Sequence, residues 1–134
     1  MLYDLQLKIG IPILIVCGVA YLYLAATTHP EPPQDGWFQA TVIDSPRPVL
    51  VKFTADWCGP CRALDGELDR LESQSDIDLR IVRVNVDQRP ELARHYGVSS
   101  IPRMLIFKDG QVVGDRVGGL DYDSLVGWVR SEVP

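Results

Sequence analysis

The chain has 134 residues, 46% apolar and 23% charged, enough for one small globular domain with an appendage. A net charge of -5 and a pI near 4.9 exclude a basic nucleic-acid footprint, and no Lys/Arg run marks a lipid-headgroup patch. Three cysteines are too few for a disulfide scaffold, and their odd number leaves one outside any pair.

The first element is apolar. After a short tail (residues 1–8), the eighteen residues Ile9–Ala26, "IGIPILIVCGVAYLYLAA", carry no charge. At about 1.5 Å per residue such a helix reaches roughly 27 Å, the thickness of a bilayer core. Tyr21 and Tyr23 suit an interfacial belt, and Pro12 falls in the first turn, where a missing N–H costs little. A cleaved leader fits less well, because only Lys8 and the amino terminus charge the n-region and Leu24 would occupy the -3 position of "LAATT". Val16 argues against lipidation of Cys17, which is read as a small apolar residue of the helix. The expectation is an uncleaved single-pass anchor over 9–26, in contact with the lipid bilayer. Lys8 precedes the span and Glu31 and Asp35 follow it, so the positive-inside bias sends the rest to the periplasmic side of a bacterial inner membrane.

A proline-rich linker (27–36, "THPEPPQDG" at Thr28–Gly36) reads as a semi-rigid spacer. The globular domain follows over 37–134. "WFQATVID" reads as a short helix. "VLVKFTA" (Val49–Ala55) is a β-branched run typical of a buried strand. From Gly59 to Ser73, Leu64, Leu68 and Leu71 form a helical stripe. "LRIVRVNVD" (Leu79–Asp87) is a second strand, and "PELARHYG" a helix bracketed by Pro90 and Gly97. Met104–Val117 reads as a hairpin turned at Asp109-Gly110. Asp121–Val133 closes the chain as a helix with Leu125, Trp128 and Val129 inward. This order, βαβαββα after the first helix, predicts an α/β fold: a mixed central sheet with helices on both faces.

The chemistry lies in "DWCGPC". Cys58 and Cys61 stand three positions apart, at the start of a helix that directly follows a buried strand. A helix N-terminus favours a thiolate at Cys58, and Cys61, one turn on, can attack a mixed disulfide formed there. Gly59-Pro60 makes the turn tight. Half a zinc site is the competing reading, but zinc needs two further ligands, and His29 and His95 are the sole histidines. Redox chemistry at a Cys58–Cys61 disulfide, with no metal and no cofactor, is the expectation.

"FTADWCGPC", "NVDQRPELARHYGVSSIPRMLIFKDGQVV" and "VGGL" resemble the thioredoxin family over nearly all of Val49–Val133. The resemblance implies the thioredoxin fold and thiol–disulfide exchange, with protein disulfides as substrates and a thiol electron donor that the sequence does not identify. It implies that Ile101-Pro102 is the family's cis-proline and that Gly118 lies near the groove. Trp57, Gly59, Pro60, Ile101, Pro102, Val117 and Gly118 would then bind the partner chain. The Gly-Pro dipeptide resembles the family's reducing members; an oxidase or isomerase, or a membrane-anchored binding module using the groove, are the alternatives.

Four departures stand out. The family's first strand is missing or shortened. Gly66 replaces a usual kinking proline, and Arg103 follows Pro102 where a threonine is commoner, placing a cation where it could bias partner choice. Lys52 stands where the family has a buried aspartate, and Arg83 where it usually has a lysine. Two cations without an anion would be costly to bury. Asp65 lies four residues after Cys61, on the same helix face. Asp65 is therefore expected to pair with Lys52 and relay the proton of Cys61. "FTADWC" also resembles the C-terminal domain of membrane thiol–disulfide interchange proteins, which carry a glutamate at this helix position.

Overall fold

The computed structural model describes residues 15–21 and 33–134. The chain divides into two units, Met1–Pro32 and Pro33–Pro134. Residues 15–21 are helical, and no helix among the described residues is long and apolar enough to cross a membrane. The tail, the rest of the 9–26 segment and residues 27–32 of the linker lie outside the described residues.

The second unit starts at Pro33, four residues before the boundary expected from composition. Asp35 explains the difference, because it belongs to the fold rather than to the spacer. Its Oδ1 accepts from the Phe38 N–H at 3.0 Å, capping helix α1 (Gly36–Phe38). Its other oxygen pairs with Arg89, whose guanidinium stacks 4.2 Å above the Trp37 ring. A π-helical turn, Gln39–Ile43, continues α1.

Strands β1 (Val49–Thr54), β2 (Arg80–Asn85), β3 (Arg103–Lys108) and β4 (Gln111–Val117) form one sheet in the order β2-β1-β3-β4. No strand precedes β1 among the described residues, so the chain enters the sheet at the strand that leads to the cysteines. β1 runs parallel to β2 and antiparallel to β3. Helices α2 (Gly59–Gln74), α3 (Pro90–His95) and α4 (Tyr122–Glu132) complete the unit. The expected mixed sheet is present, and α2 and α4 contact each other on one face.

Strand alternation sorts the core. Val49, Val51 and Phe53 of β1 point to one face, with Val82, Val84, Leu105 and Phe107, and there meet Phe38 and Leu92 of α1 and α3. Tyr96 closes this core, its ring centroid 5.5 Å from Phe38 and 5.4 Å from Phe107. Leu50, Met104 and Ile106 point to the other face, against Leu64, Leu68 and Leu71 of α2 and Leu125, Trp128 and Val129 of α4. Each buried leucine of that stripe contributes about 2 kcal/mol. Lys52 follows the period of Leu50, so the strand delivers its side chain under α2.

Asp109 (φ 52°) and Gly110 (φ 75°) both take positive φ, the requirement of a two-residue hairpin turn of this hand. A β-bulge between Ile106 and Phe107 shifts the β3–β4 register by one residue.

Candidate active site

β1 ends at Thr54, and α2 begins five residues later with Cys58 as its N-cap, in extended backbone (φ -89°, ψ 104°). The cap is made by sulfur: the Cys61 N–H donates to Cys58 Sγ at 3.2 Å. Cys58 and Cys61 are joined in a disulfide, their Cα atoms 5.3 Å apart. Cys58 is 5% exposed and Cys61 is fully buried. Ala55, Val86 and Ile101 pack around the pair. The outer sulfur thus meets a helix N-terminus and the inner one an apolar wall, an asymmetry that suits Cys58 to attack and Cys61 to resolve.

Around the cysteines the surface is apolar and open. Trp57 is 69% exposed and Val117 62%; Gly59 and Pro60 are exposed too, Ile101 is half-buried and Pro102 buried. The Ile101-Pro102 bond is cis. Gly118, at φ 91°, donates its N–H to the Pro102 carbonyl at 2.8 Å, tying the end of β4 to the cis-proline loop. Positive φ at this site favours glycine.

Beneath the disulfide lies a chain of charges. Lys52, fully buried, donates from Nζ to the Cys61 carbonyl at 2.7 Å and to Asp65 Oδ1 at 2.6 Å. The same Asp65 oxygen accepts from Arg83 Nε at 2.9 Å. Arg83 then reaches Asp69 Oδ1 at 2.7 Å, with Glu72 3.9 Å away. Parallel pairing sets Lys52 opposite Arg83 across β1 and β2, and the alternation of both strands turns the two cations to the α2 side. Burial pushes the Asp65 carboxyl up, but the hydrogen bonds from Lys52 and Arg83 outweigh it and hold the group below its ordinary value. Among the described residues no buried side-chain nitrogen or oxygen lacks a partner. The cost of burying Lys52 is therefore met by a carboxylate and a carbonyl.

Two groups at the site go beyond the sequence reading. Asp87 Oδ2 accepts from the Trp57 indole N–H at 2.9 Å. The signal for it was present: β2 is parallel to β1, so the residues after β2 emerge beside those after β1. Asn85 likewise reaches Asp56 Oδ1 at 3.1 Å.

Arg103 corrects an expectation. It offers no free cation to a partner, because Nε and Nη2 grip both Asp115 oxygens at 2.9 and 2.6 Å and Nη1 donates to the Gly97 carbonyl at 2.6 Å. Its charge is spent inside the fold, bracing β3, β4 and the end of α3.

A helix-capping sulfur, a second cysteine one turn on and an open apolar rim define a dithiol–disulfide redox protein. The family model described as Thioredoxin matches residues 30–131, and the chain belongs to the thioredoxin family. It is 43% identical over 91 residues to thioredoxin 1 of Synechococcus elongatus, covering 68% of this chain and 85% of that one. It is 36% identical over 99 residues to the thioredoxin of Rhodospirillum rubrum, covering 74% and 95%, and 32% identical over 99 residues to that of Rickettsia felis, covering 74% and 94%. The protein is a protein-disulfide oxidoreductase of the thioredoxin type.

Proposed function

We propose that this protein reduces protein disulfides while tethered to a membrane, its thioredoxin domain on the extracytoplasmic face. The observation that carries the exchange chemistry is the Cys58 sulfur accepting the Cys61 N–H in the first turn of α2, where a thiolate is favoured. Cys58 attacks one sulfur of a partner's disulfide, forming a mixed disulfide and releasing the other partner sulfur as a thiolate. Cys61 then attacks Cys58, closing the Cys58–Cys61 bond and releasing the second partner thiol. The partner gains two electrons, and a thiol donor must return them to the protein. Trp57, Gly59, Pro60, Val117 and Gly118 form the rim, and the backbone of Ile101, set by Pro102, pairs with the partner's extended chain.

The Gly59-Pro60 dipeptide supports the reducing direction. The charge-free run Ile9–Ala26 supports the tether, and Lys8 on its N-terminal side supports the orientation.

The full chain, supplied with dithiothreitol, is expected to reduce insulin, and Cys58→Ala to abolish that activity. Full activity in the variant overturns the mechanism. In cells, Cys61→Ser should leave partner proteins disulfide-linked to Cys58, and those partners identify the clients. Protease added to spheroplasts should digest the domain while a cytoplasmic control survives; protection of the domain reverses the orientation.

A further inference from the structure

The sequence reading gave Asp65 the task of accepting the proton of Cys61. The geometry divides the work differently. One oxygen of the Asp65 carboxylate, Oδ1, already accepts from both Lys52 and Arg83. The carboxyl is also held below the ordinary value, which makes it a weak base for a buried thiol. The group set on Cys61 itself is Lys52, through the Cys61 carbonyl.

We infer that Lys52 acts as the positioning and charge-supplying residue of the resolving step: its buried ammonium stabilises the thiolate of Cys61, and Asp65 serves to hold and partly neutralise that ammonium. The device runs opposite to a buried carboxylate, which would remove the proton as a base. Here the proton of Cys61 leaves to solvent or to the departing partner thiolate. The Cys61 sulfur then attacks Cys58; the Cys58–partner bond breaks and the Cys58–Cys61 bond forms. The step needs only the thiol–disulfide exchange already established, whichever direction it runs in the cell.

The order of burial supports this. Side-chain exposure rises from 0% at Lys52 to 34% at Asp65 and 69% at Asp69, so the cation sits in the driest place and its counter-ions stand progressively further into water. Charges act most strongly where the medium is least polar, and water screens the outer acids first. The side chains packed on the cysteine pair are apolar, and the charged groups of the surrounding elements are each engaged with another partner. Val86 follows β2 and Ile101 belongs to the cis-proline loop, both apolar. Asp87 is bound to Trp57, and Arg103 to Asp115 and Gly97. Arg62 donates to the Asp56 carbonyl, and Asn85 holds the Asp56 carboxylate. Arg83 reaches the site only through Asp65, and its far side is occupied by Asp69 and Glu72.

The experiment follows the ultraviolet thiolate absorbance of Cys61 against pH in the full chain carrying Cys58→Ser and Cys17→Ala, so that Cys61 is the one thiol. A stopped-flow measurement of resolution against pH, with Cys58 intact, accompanies it. Lys52→Met is expected to move both midpoints to higher pH by about one unit or more, and to slow resolution at neutral pH about ten-fold. Asp65→Asn keeps an acceptor for Lys52 but removes the negative charge, and is expected to move both midpoints to lower pH. A proton relay through Asp65 requires the reverse: Asp65→Asn slows resolution, and Lys52→Met, which frees the carboxylate, leaves it unchanged or faster. That pattern overturns the inference, as does a Lys52→Met midpoint at or below that of the unsubstituted chain. Asp65→Asn leaves a buried cation without its anion and can fail to fold. Lys52→Met removes the buried charge while Asp65 keeps Arg83, so its measurement then decides alone.

Discussion

The indole N–H of Trp57 donates to the Asp87 carboxylate at 2.9 Å, so the most exposed aromatic beside the disulfide is held in one orientation by a residue from the neighbouring strand's end. A ring presented in a fixed pose loses less freedom when a partner chain covers it. Asp87→Ala is expected to raise the KM for insulin reduction about five-fold, the equivalent of ~1 kcal/mol for one hydrogen bond, with kcat little changed. Steady-state kinetics at several insulin concentrations check this. An unchanged KM would mean that the ring's orientation does not matter to docking.

The grip of Arg103 on Asp115 makes a pH-dependent contribution. The hydrogen bonds from Arg103 hold the Asp115 carboxyl below its ordinary 3.8, against a smaller upward push from burial. A lowered folded value means stability that is present above the unfolded value and lost as pH falls through the folded one. Asp115→Asn should therefore lower Tm at neutral pH, with a gap from wild type that stays constant down to about 3.8 and closes below it. Thermal melts across that range provide the check; a gap persisting into strong acid would assign the effect to shape rather than charge.

Gly66 lies in the exposed middle of α2, and a Cβ added there meets nothing within 4 Å. Gly66→Ala should stabilise the fold by ~1 kcal/mol, the usual helix-interior difference between the two residues. Gly97 has equal room but sits at φ +61°, closing α3 with its N–H on the Arg94 carbonyl. Gly97→Ala should cost ~1 kcal/mol instead. Urea titrations of the two variants should shift in opposite directions.

Tyr96 carries its phenol into the aromatic core, and burial pushes it from the ordinary 10.0 up to about 12. A raised folded value means stability that is complete below the unfolded value and lost as pH rises through the folded one. The fold should weaken between pH 10.0 and about 12, and Tyr96→Phe should flatten that part of the profile while changing little at neutral pH. Denaturant midpoints in alkaline buffers measure it.

The sequence by itself determined the elements and the chemistry. Periodicity placed Leu64, Leu68 and Leu71 on one face of α2, and the two-residue Asp109-Gly110 turn marked its hairpin. Cys58 and Cys61 at a strand-to-helix junction pointed to redox exchange without any coordinates. Asp65 was legible on the helix face of Cys61, because i and i+4 share a face, and the unpaired cation expected at Lys52 on the strand beneath called for an acid there. What only the tertiary structure decided depends on register between distant segments. Arg83 joins Asp65 because β2 pairs with β1 with Arg83 opposite Lys52, an alignment no local pattern encodes. Arg103 is the sharper case. Counting back from the Lys108↔Gln111 pair of the turn would set Arg103 against Arg116, with Asp115 on the opposite face. The β-bulge instead sets Arg103 opposite Val117, and Asp115 becomes its diagonal neighbour on the same face. Gly114 suits that register: it lies against α4, where a Cβ would come within 3.0 Å of Glu132 and 3.1 Å of Trp128. With Gly114 turned to the helix, strand alternation puts its neighbour Asp115 on the face of Arg103.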